Sequence, residues 1–322
     1  MKRTTQRNSN PYEFTDSNKR YYTYDYYLRR VFGGKCAKIP IDAGFTCPNI
    51  DGRCGVGGCI YCSARGSGDF AESAERSVRE QYEITRAKLS SKWSVERCIP
   101  YFQAHTNTYA PTEILKSKFE EALKLEGVVG LNIATRADCL EDLTVEYLAD
   151  LAERTVLTVE LGLQTSDDNT AERINRGHSF ADFCRGFEKL RRASEKINIC
   201  VHIIFGLPDE SREEMMRTVR DVAALHPEQV KIHLLHVLLG TVMADIYERG
   251  EYTPLSKEEY VSLVVDALEL LPPDTVVARL TGDGMADELL APEWSRRKVS
   301  VINDIDKLLY ARNSYQGRLY ES

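Results

Sequence analysis

Cys47, Cys54, Cys59 and Cys62 fall within sixteen residues, in a loop that reads TCPNIDGRCGVGGCIYCSARGSGDF from Thr46 to Phe70. Thiolates are ligands for soft metals and for iron–sulfur clusters. Cys59 and Cys62 form a C-x-x-C pair, which brings two thiolates to one metal or cluster face from a tight turn. Cys47, separated from Cys59 by eleven residues, can supply the third ligand from further along the loop. The intervening glycines let the backbone wrap closely and aim N–H groups at the sulfurs. A four-cysteine zinc knuckle with Cys54 as fourth ligand is the competing reading. Closed zinc sites usually combine C-x-x-C with another close pair, whereas Cys47 and Cys54 stand seven apart.

The 322-residue chain contains nine cysteines, 43% hydrophobic residues and 28% charged residues. Its length accommodates an α/β barrel, and its composition is that of an ordinary globular protein. A polar, basic N-terminus without an apolar core and the absence of a run of about 18 apolar residues predict a cytoplasmic protein outside the membrane. In a reducing compartment, clustered thiols are metal ligands rather than a disulfide framework. The net charge is −7, yet residues 1–35 carry eight Lys and Arg against three Asp and Glu. Residues 296–322 carry six against three, so basic ends flank an acidic body. That distribution is compatible with nucleic acid gripped at the periphery, and equally with solvated ends.

Positioning such a loop requires a rigid frame, and the middle of the chain alternates short β-branched runs with helical patterns. Strands are predicted over 35–44, 96–104, 128–135, 156–163, 197–205 and 229–237, with 275–282 as an extension of the sheet. Helices are predicted near 72–90, 112–126, 144–154, 180–196, 211–225 and 256–271. Ser211 with Glu214, and Ser256 with Glu259, form capping boxes. The fold class is therefore α/β, a partial (βα)6 parallel barrel. An N-terminal aromatic and basic extension (1–34) precedes the barrel (35–250), and a C-terminal extension (251–322) completes its mouth. Right-handed crossovers place the loops after the strands on one face, so the cysteine loop lies at the mouth.

The cysteine loop resembles that of the YtqA/YhcC-type radical S-adenosylmethionine proteins, relatives of the Elongator catalytic subunit and of oxygen-independent coproporphyrinogen oxidase. YFQAHTNTYAP (101–111), IATRAD (133–138), ELGLQT (160–165), NRGH (175–178), FGLPDE (205–210) and LHVLLGT (235–241) resemble family segments in the same order. The resemblance covers roughly residues 15–300. It implies a [4Fe–4S] cluster on Cys47, Cys59 and Cys62, with the open iron chelated by S-adenosylmethionine. Cys54 has no place in that ligand pattern. An electron donor such as flavodoxin or ferredoxin is also implied.

Gln103 corresponds to the place where the family holds the methionyl amine, although QAHTN replaces the Gly-Gly-Glu of many relatives. Arg136 is a candidate for the methionyl carboxylate, and Glu160 and Gln164 for hydrogen-bonding the ribose or orienting the cluster end. Structural hydrogen bonding is the alternative for each. The implied substrate is transfer RNA, at the 5-carboxymethylaminomethyl side chain of a wobble uridine. A small-molecule or peptide substrate, or a redox sensor that keeps the cluster without turnover, are the alternatives.

Other motifs have plainer readings. GLPDE is a turn before a capped helix, with Gly206 able to approach adenine. NRGH combines a terminating Gly177 with a loop-ordering His178. Along a strand, His233 and His236 should point to opposite faces, with His202 on the neighbouring strand. Gly282, Asp283 and Gly284 form a loop over the mouth or a simple turn. Tyr12, Phe14, Tyr21, Tyr22, Tyr24, Tyr26 and Tyr27, mixed with basic residues, either stack on bases or cap the barrel.

Overall fold

The computed structural model describes residues 10–282 and 287–321. Its strands are β1 (Ala37–Ile41), β2 (Cys98–Phe102), β3 (Gly130–Thr135), β4 (Val156–Gln164), β5 (Asn198–Phe205), β6 (Gln229–Leu234), β7 (Val237–Leu238), β8 (Val276–Arg279) and β9 (Leu289–Ala291). Seven of them form one parallel sheet in the order β1-β2-β3-β4-β5-β6-β8, which curls into a half-barrel. The predicted seventh run thus extends the sheet as β8. β7 and β9 form a separate antiparallel ribbon, too short to be read from alternation.

The near-continuous apolar runs of the strands are explained by burial on both faces. Outward side chains such as Ile133, Val159 and Ile232 are fully buried beneath the crossover helices. Four of those helices are held at their starts by capping boxes. The two predicted ones begin the helices Arg212–Leu225 and Lys257–Leu270. Two more, Ser77 with Glu80 and Ser179 with Asp182, begin Val78–Ser90 and Phe180–Ala193. The first of these helices starts at Val78 rather than near 72, because Ser77 diverts its hydroxyl to the Glu80 N–H.

The N-terminal aromatics are structural. Helix α1 (Tyr24–Phe32) follows Thr23, which bridges in parallel to Val277 of β8. On the other side, Lys38 of β1 lies 5.3 Å from the Tyr24 ring centroid. α1 therefore spans the two edges of the open sheet. Phe32 also packs beside Gly130, the first residue of β3, so α1 sits at the pole opposite the cysteine loop. Tyr12 and Tyr21 are buried, and the Tyr12 hydroxyl donates to the Pro273 carbonyl at 2.5 Å. Phe14 and Tyr22 stack on each other with centroids 5.5 Å apart. These contacts of the rings with one another and with the barrel support the cap reading.

Much of the basic charge at the ends is likewise locally paired. Lys19 bonds Asp306, Arg29 bonds Asp16, and Arg312 bonds Asp266. Lys2, Arg3 and Arg7 lie outside the described residues, as do Asp283 and Gly284 of the predicted mouth loop. Among the described residues no helix is long and apolar enough to cross a membrane.

Candidate functional site

The loop after β1 carries Cys47, Cys59 and Cys62 to the wall of one cavity of about 620 Å³. Cys54 is exposed and does not line it. Its sulfur instead lies 3.6 Å from Arg136 Nη2 and packs against Gly177, where a Cβ would come within 3.0 Å of it and the φ of 76° disfavours any side chain. Among the described residues, the one set of three potential donors drawn within 4.8 Å is Glu160, Cys200 and His202. The loop thiols do not converge in the way a tetrahedral zinc site requires, and the zinc knuckle is thereby disfavoured. Three thiols on one cavity wall, with the fourth turned away, fit a cluster that keeps one iron open.

Protein donors surround these sulfurs. Thr106 Oγ1 donates to Cys47 Sγ at 3.1 Å, and Asn49 Nδ2 to Cys59 Sγ at 3.4 Å. Arg176 Nη1 stands 3.9 Å from Cys59 Sγ. A hydrogen bond from Cys62, with the Arg176 charge and the Asn49 amide, holds the Cys59 thiol well below its ordinary value despite burial. The same Cys59–Cys62 bond, together with burial, pushes Cys62 up. Gly66 lets the loop close over His105: a Cβ there would lie 2.3 Å from His105 Nδ1, itself 3.9 Å from Cys47 Sγ.

All four predicted cofactor-contact residues line the same cavity. Gln103 donates to the Ser67 carbonyl at 2.7 Å, tying β2 to the cysteine loop. Gln164 ends β4 at a positive φ of 79°. Arg136 is engaged by the protein: it grips Asp138 through Nε and Nη2, at 2.9 and 2.8 Å, and donates to the Arg176 carbonyl at 2.6 Å. Glu160 is fully buried, and both its oxygens are used. Oε1 accepts from Lys38 at 2.8 Å and Asn132 at 2.7 Å; Oε2 accepts from Lys231 and pairs with His202 at 2.9 Å.

Burial opposes ionisation of Glu160, but Lys231 and Lys38 outweigh it and hold the carboxyl well below its usual range. Lys231 is pushed down to about 7 by burial, against the attraction of Glu160. His202 is depressed to about 4, by burial and then by the Lys231 charge, so it is neutral near pH 7.

Sequence reasoning missed Arg176 and Lys231. The signal for Lys231 is a lysine inside the apolar run QVKIHLL, a costly place for a charge without a purpose. Arg176 carries no such signal, since NRGH is fully accounted for as a loop by Gly177 and His178. His178 is half-buried and its Nδ1 lies 3.2 Å from the Ser179 carbonyl, in agreement with a loop-ordering role. The expectation that His233 and His236 face opposite ways is overturned. Both line the cavity, because β6 ends at Leu234 and the chain turns before β7, so alternation does not extend to His236. Gly206 does not approach the cavity either. Tyr252 covers it, donating to the Gly206 carbonyl at 2.6 Å.

Comparison with known proteins agrees with this geometry. The Radical SAM superfamily model matches residues 50–222, and the Radical_SAM C-terminal domain model matches 227–311. YtqA of Bacillus subtilis is 48% identical over 313 residues, covering 97% of both chains. YhcC of Escherichia coli K12 is 34% identical, covering 88% of this chain and 90% of its own. A tRNA uridine(34) acetyltransferase of Methanocaldococcus jannaschii is 26% identical over 199 residues, which are 59% of this chain and 34% of that one. Among solved structures, the archaeal Elp3 of Methanocaldococcus infernus superposes with a TM-score of 0.61 at 18% identity. That match covers 87% of this chain and 64% of Elp3, a likeness of fold. With its thiol-lined half-barrel cavity and these matches along nearly its whole length, the chain belongs to the radical SAM superfamily, as an enzyme of the YtqA/YhcC type.

Proposed function

We propose that the enzyme holds a [4Fe–4S] cluster on Cys47, Cys59 and Cys62 and processes the 5-carboxymethylaminomethyl group of a wobble uridine in transfer RNA towards 5-aminomethyl. Superfamily membership implies the cluster and S-adenosylmethionine. Together, when bound, they supply a 5′-deoxyadenosyl radical, which takes hydrogen from an unactivated carbon. In this reading the carbon is the methylene between the side-chain amine and its carboxylate. Loss of the hydrogen atom and then of one electron gives an imine, whose hydrolysis breaks the C–N bond and releases the aminomethyl product and glyoxylate, with S-adenosylmethionine as the two-electron oxidant.

The chain's own groups have distinct tasks. Thr106, Asn49 and Arg176 direct hydrogen atoms at the sulfurs, which favours the thiolates and tunes a cluster bound to them. Gln103 and Gln164 offer amides at the strand ends for the polar groups of S-adenosylmethionine. Arg136 and Glu160 remain candidates for its carboxylate and ribose, although their donors and acceptors already engage Asp138 and the two lysines. The half-barrel keeps water from the reacting carbon.

The observation that carries the reading is the single cavity joining the three thiols to a polar, charged floor. Its volume of about 620 Å³ is within the range of small-molecule pockets, so RNA can enter only as an unstacked base with its side chain. Similarity to a tRNA uridine(34) acetyltransferase supports the choice of RNA and of uridine. The test is mass spectrometry of transfer RNA nucleosides from cells with and without the gene. Accumulation of the 5-carboxymethylaminomethyl nucleoside in the deletion supports the proposal. Identical wobble nucleosides in the two strains refute it and favour a small-molecule or peptide substrate.

A further inference from the structure

We propose that the floor of the cavity is a carboxylate-binding subsite, in which Lys231, flanked by Tyr101 and His233, receives the acidic end of the substrate's side chain. The identity of that acid, a carboxymethyl arm, rests on the function proposed above. The subsite itself rests on three observations.

The first is charge. Lys38 and Lys231 both reach into the barrel and share one carboxylate, Glu160. Among the described residues, the other carboxylate on the cavity wall is Asp69, which belongs to the cysteine loop and accepts from Ser63 at 2.8 Å. With Lys231 protonated, two ammonium groups face one carboxylate, and the excess positive charge is shared between the buried Lys231 and Lys38, whose side chain is 26% exposed. Such a charge is costly until an anion joins it.

The second is hydrogen-bonding capacity. Each Glu160 oxygen already has two partners. Lys231 has three N–H groups: one serves Glu160 and another the Tyr101 hydroxyl at 3.2 Å. The third is available to a ligand in the cavity that Lys231 lines. Lys38 is held away from the cavity, 4.2 Å from the Tyr101 ring centroid and 5.3 Å from that of Tyr24. It therefore sets the field while Lys231 makes the contact.

The third is an orphan. His233 Nε2 is buried, lines the cavity and has no hydrogen-bond partner among the described residues. Buried polar atoms left in this way ordinarily meet water or a ligand. Its ring stands beside that of His202, with centroids 5.2 Å apart, on the same wall.

Such a floor separates substrate from product. The carboxymethylaminomethyl arm ends in a carboxylate that Lys231 binds by a charge-assisted hydrogen bond. The aminomethyl product ends in an ammonium group, which the two lysines repel. Loss of the arm would therefore itself promote release.

The test is isothermal titration of the anaerobic full-length protein with four probes: 5-carboxymethylaminomethyluridine, its methyl ester, N-benzylglycine and its methyl ester. Each acid should bind about tenfold or more tightly than its ester, since a hydrogen bond to a charged group is lost on esterification. Lys231→Met should abolish that preference and leave ester binding unchanged, while Lys231→Arg retains part of it. Lys231→Met should still fold, because it leaves Lys38 and Glu160 as a balanced pair. Equal binding of acid and ester to the wild type, no binding of either acid, or a preference that survives Lys231→Met overturns the subsite.

The two proposals fail differently. A Lys231-dependent preference for N-benzylglycine, with neither nucleoside bound, keeps the subsite and refutes the uridine reading. Equal acid and ester binding, with the carboxymethylaminomethyl nucleoside accumulating in the deletion strain, does the reverse.

Discussion

Replacing Glu160 by Gln keeps the shape of the side chain and removes the one negative charge between Lys38 and Lys231. In the native barrel this carboxylate is fully buried and accepts from both lysines, Asn132 and His202. Removing one partner of a buried ion pair typically costs about 3–5 kcal/mol. The charge penalty has a ceiling for each lysine. Neutralising an amine of ordinary pKa 10.5 at pH 7 costs about 5 kcal/mol, at 1.36 kcal/mol per unit. Glu160→Gln should therefore lose about 3–5 kcal/mol at pH 7, a large part of the stability of an ordinary domain. Lys231→Met should lose far less or gain, since one lysine then faces one carboxylate. The double variant should recover part of what Glu160→Gln loses. Urea unfolding of the cluster-free proteins, followed by circular dichroism, measures all three. A Glu160→Gln protein as stable as the wild type, or a Lys231→Met protein as unstable as Glu160→Gln, would refute the charge argument.

The depressed Lys231 also predicts a pH dependence. Its folded pKa of about 7 lies below 10.5, so between these values the unfolded chain binds more protons and stability rises with pH. Relative to Lys231→Met, which retains Glu160, Lys38, Cys200 and Arg279, the wild type should gain roughly 1–2 kcal/mol from pH 7 to 8.5; equal slopes in urea titrations would contradict this. Deleting residues 1–20 removes Tyr12, Lys19 and Arg20, which bond Pro273, Asp306 and Ser314. The truncated protein should melt earlier by several degrees in a thermal scan, and an unchanged melting temperature would show that the cap contributes nothing. Arg176→Ala removes the guanidinium beside Cys59 and its bond to the Gly162 carbonyl. Iron uptake on reconstitution should fall while circular dichroism is preserved; full uptake would make that cation dispensable.

Elements governed by local rules were legible in the sequence. The seven sheet strands announced themselves as apolar runs, and Ser211 and Ser256 marked helix starts through capping boxes. The thiol triad was legible because a C-x-x-C pair and a third cysteine share one loop after a strand. Features that depend on distant partners were not. Nothing local to Tyr24–Phe32 shows that this helix closes the gap between β1 and β8, more than two hundred residues apart in the chain. The same tyrosines would serve burial or base stacking equally well. Alternation misplaced His236 because the turn after Leu234 falls inside one continuous apolar stretch. Arg136 and Glu160, expected as cofactor contacts, line the cavity, but their engagement with Asp138 and the lysines is a matter of tertiary contact.

The central claim is that Cys47, Cys59 and Cys62 hold the cluster and Cys54 does not. Iron analysis after anaerobic reconstitution, on the wild type and on each single Cys→Ala variant, tests it directly. The wild type and Cys54→Ala should each bind about four irons per chain. Cys47→Ala, Cys59→Ala and Cys62→Ala should each lose them. Iron lost from Cys54→Ala but kept in Cys47→Ala would contradict the assignment, as would bound zinc with no uptake of iron.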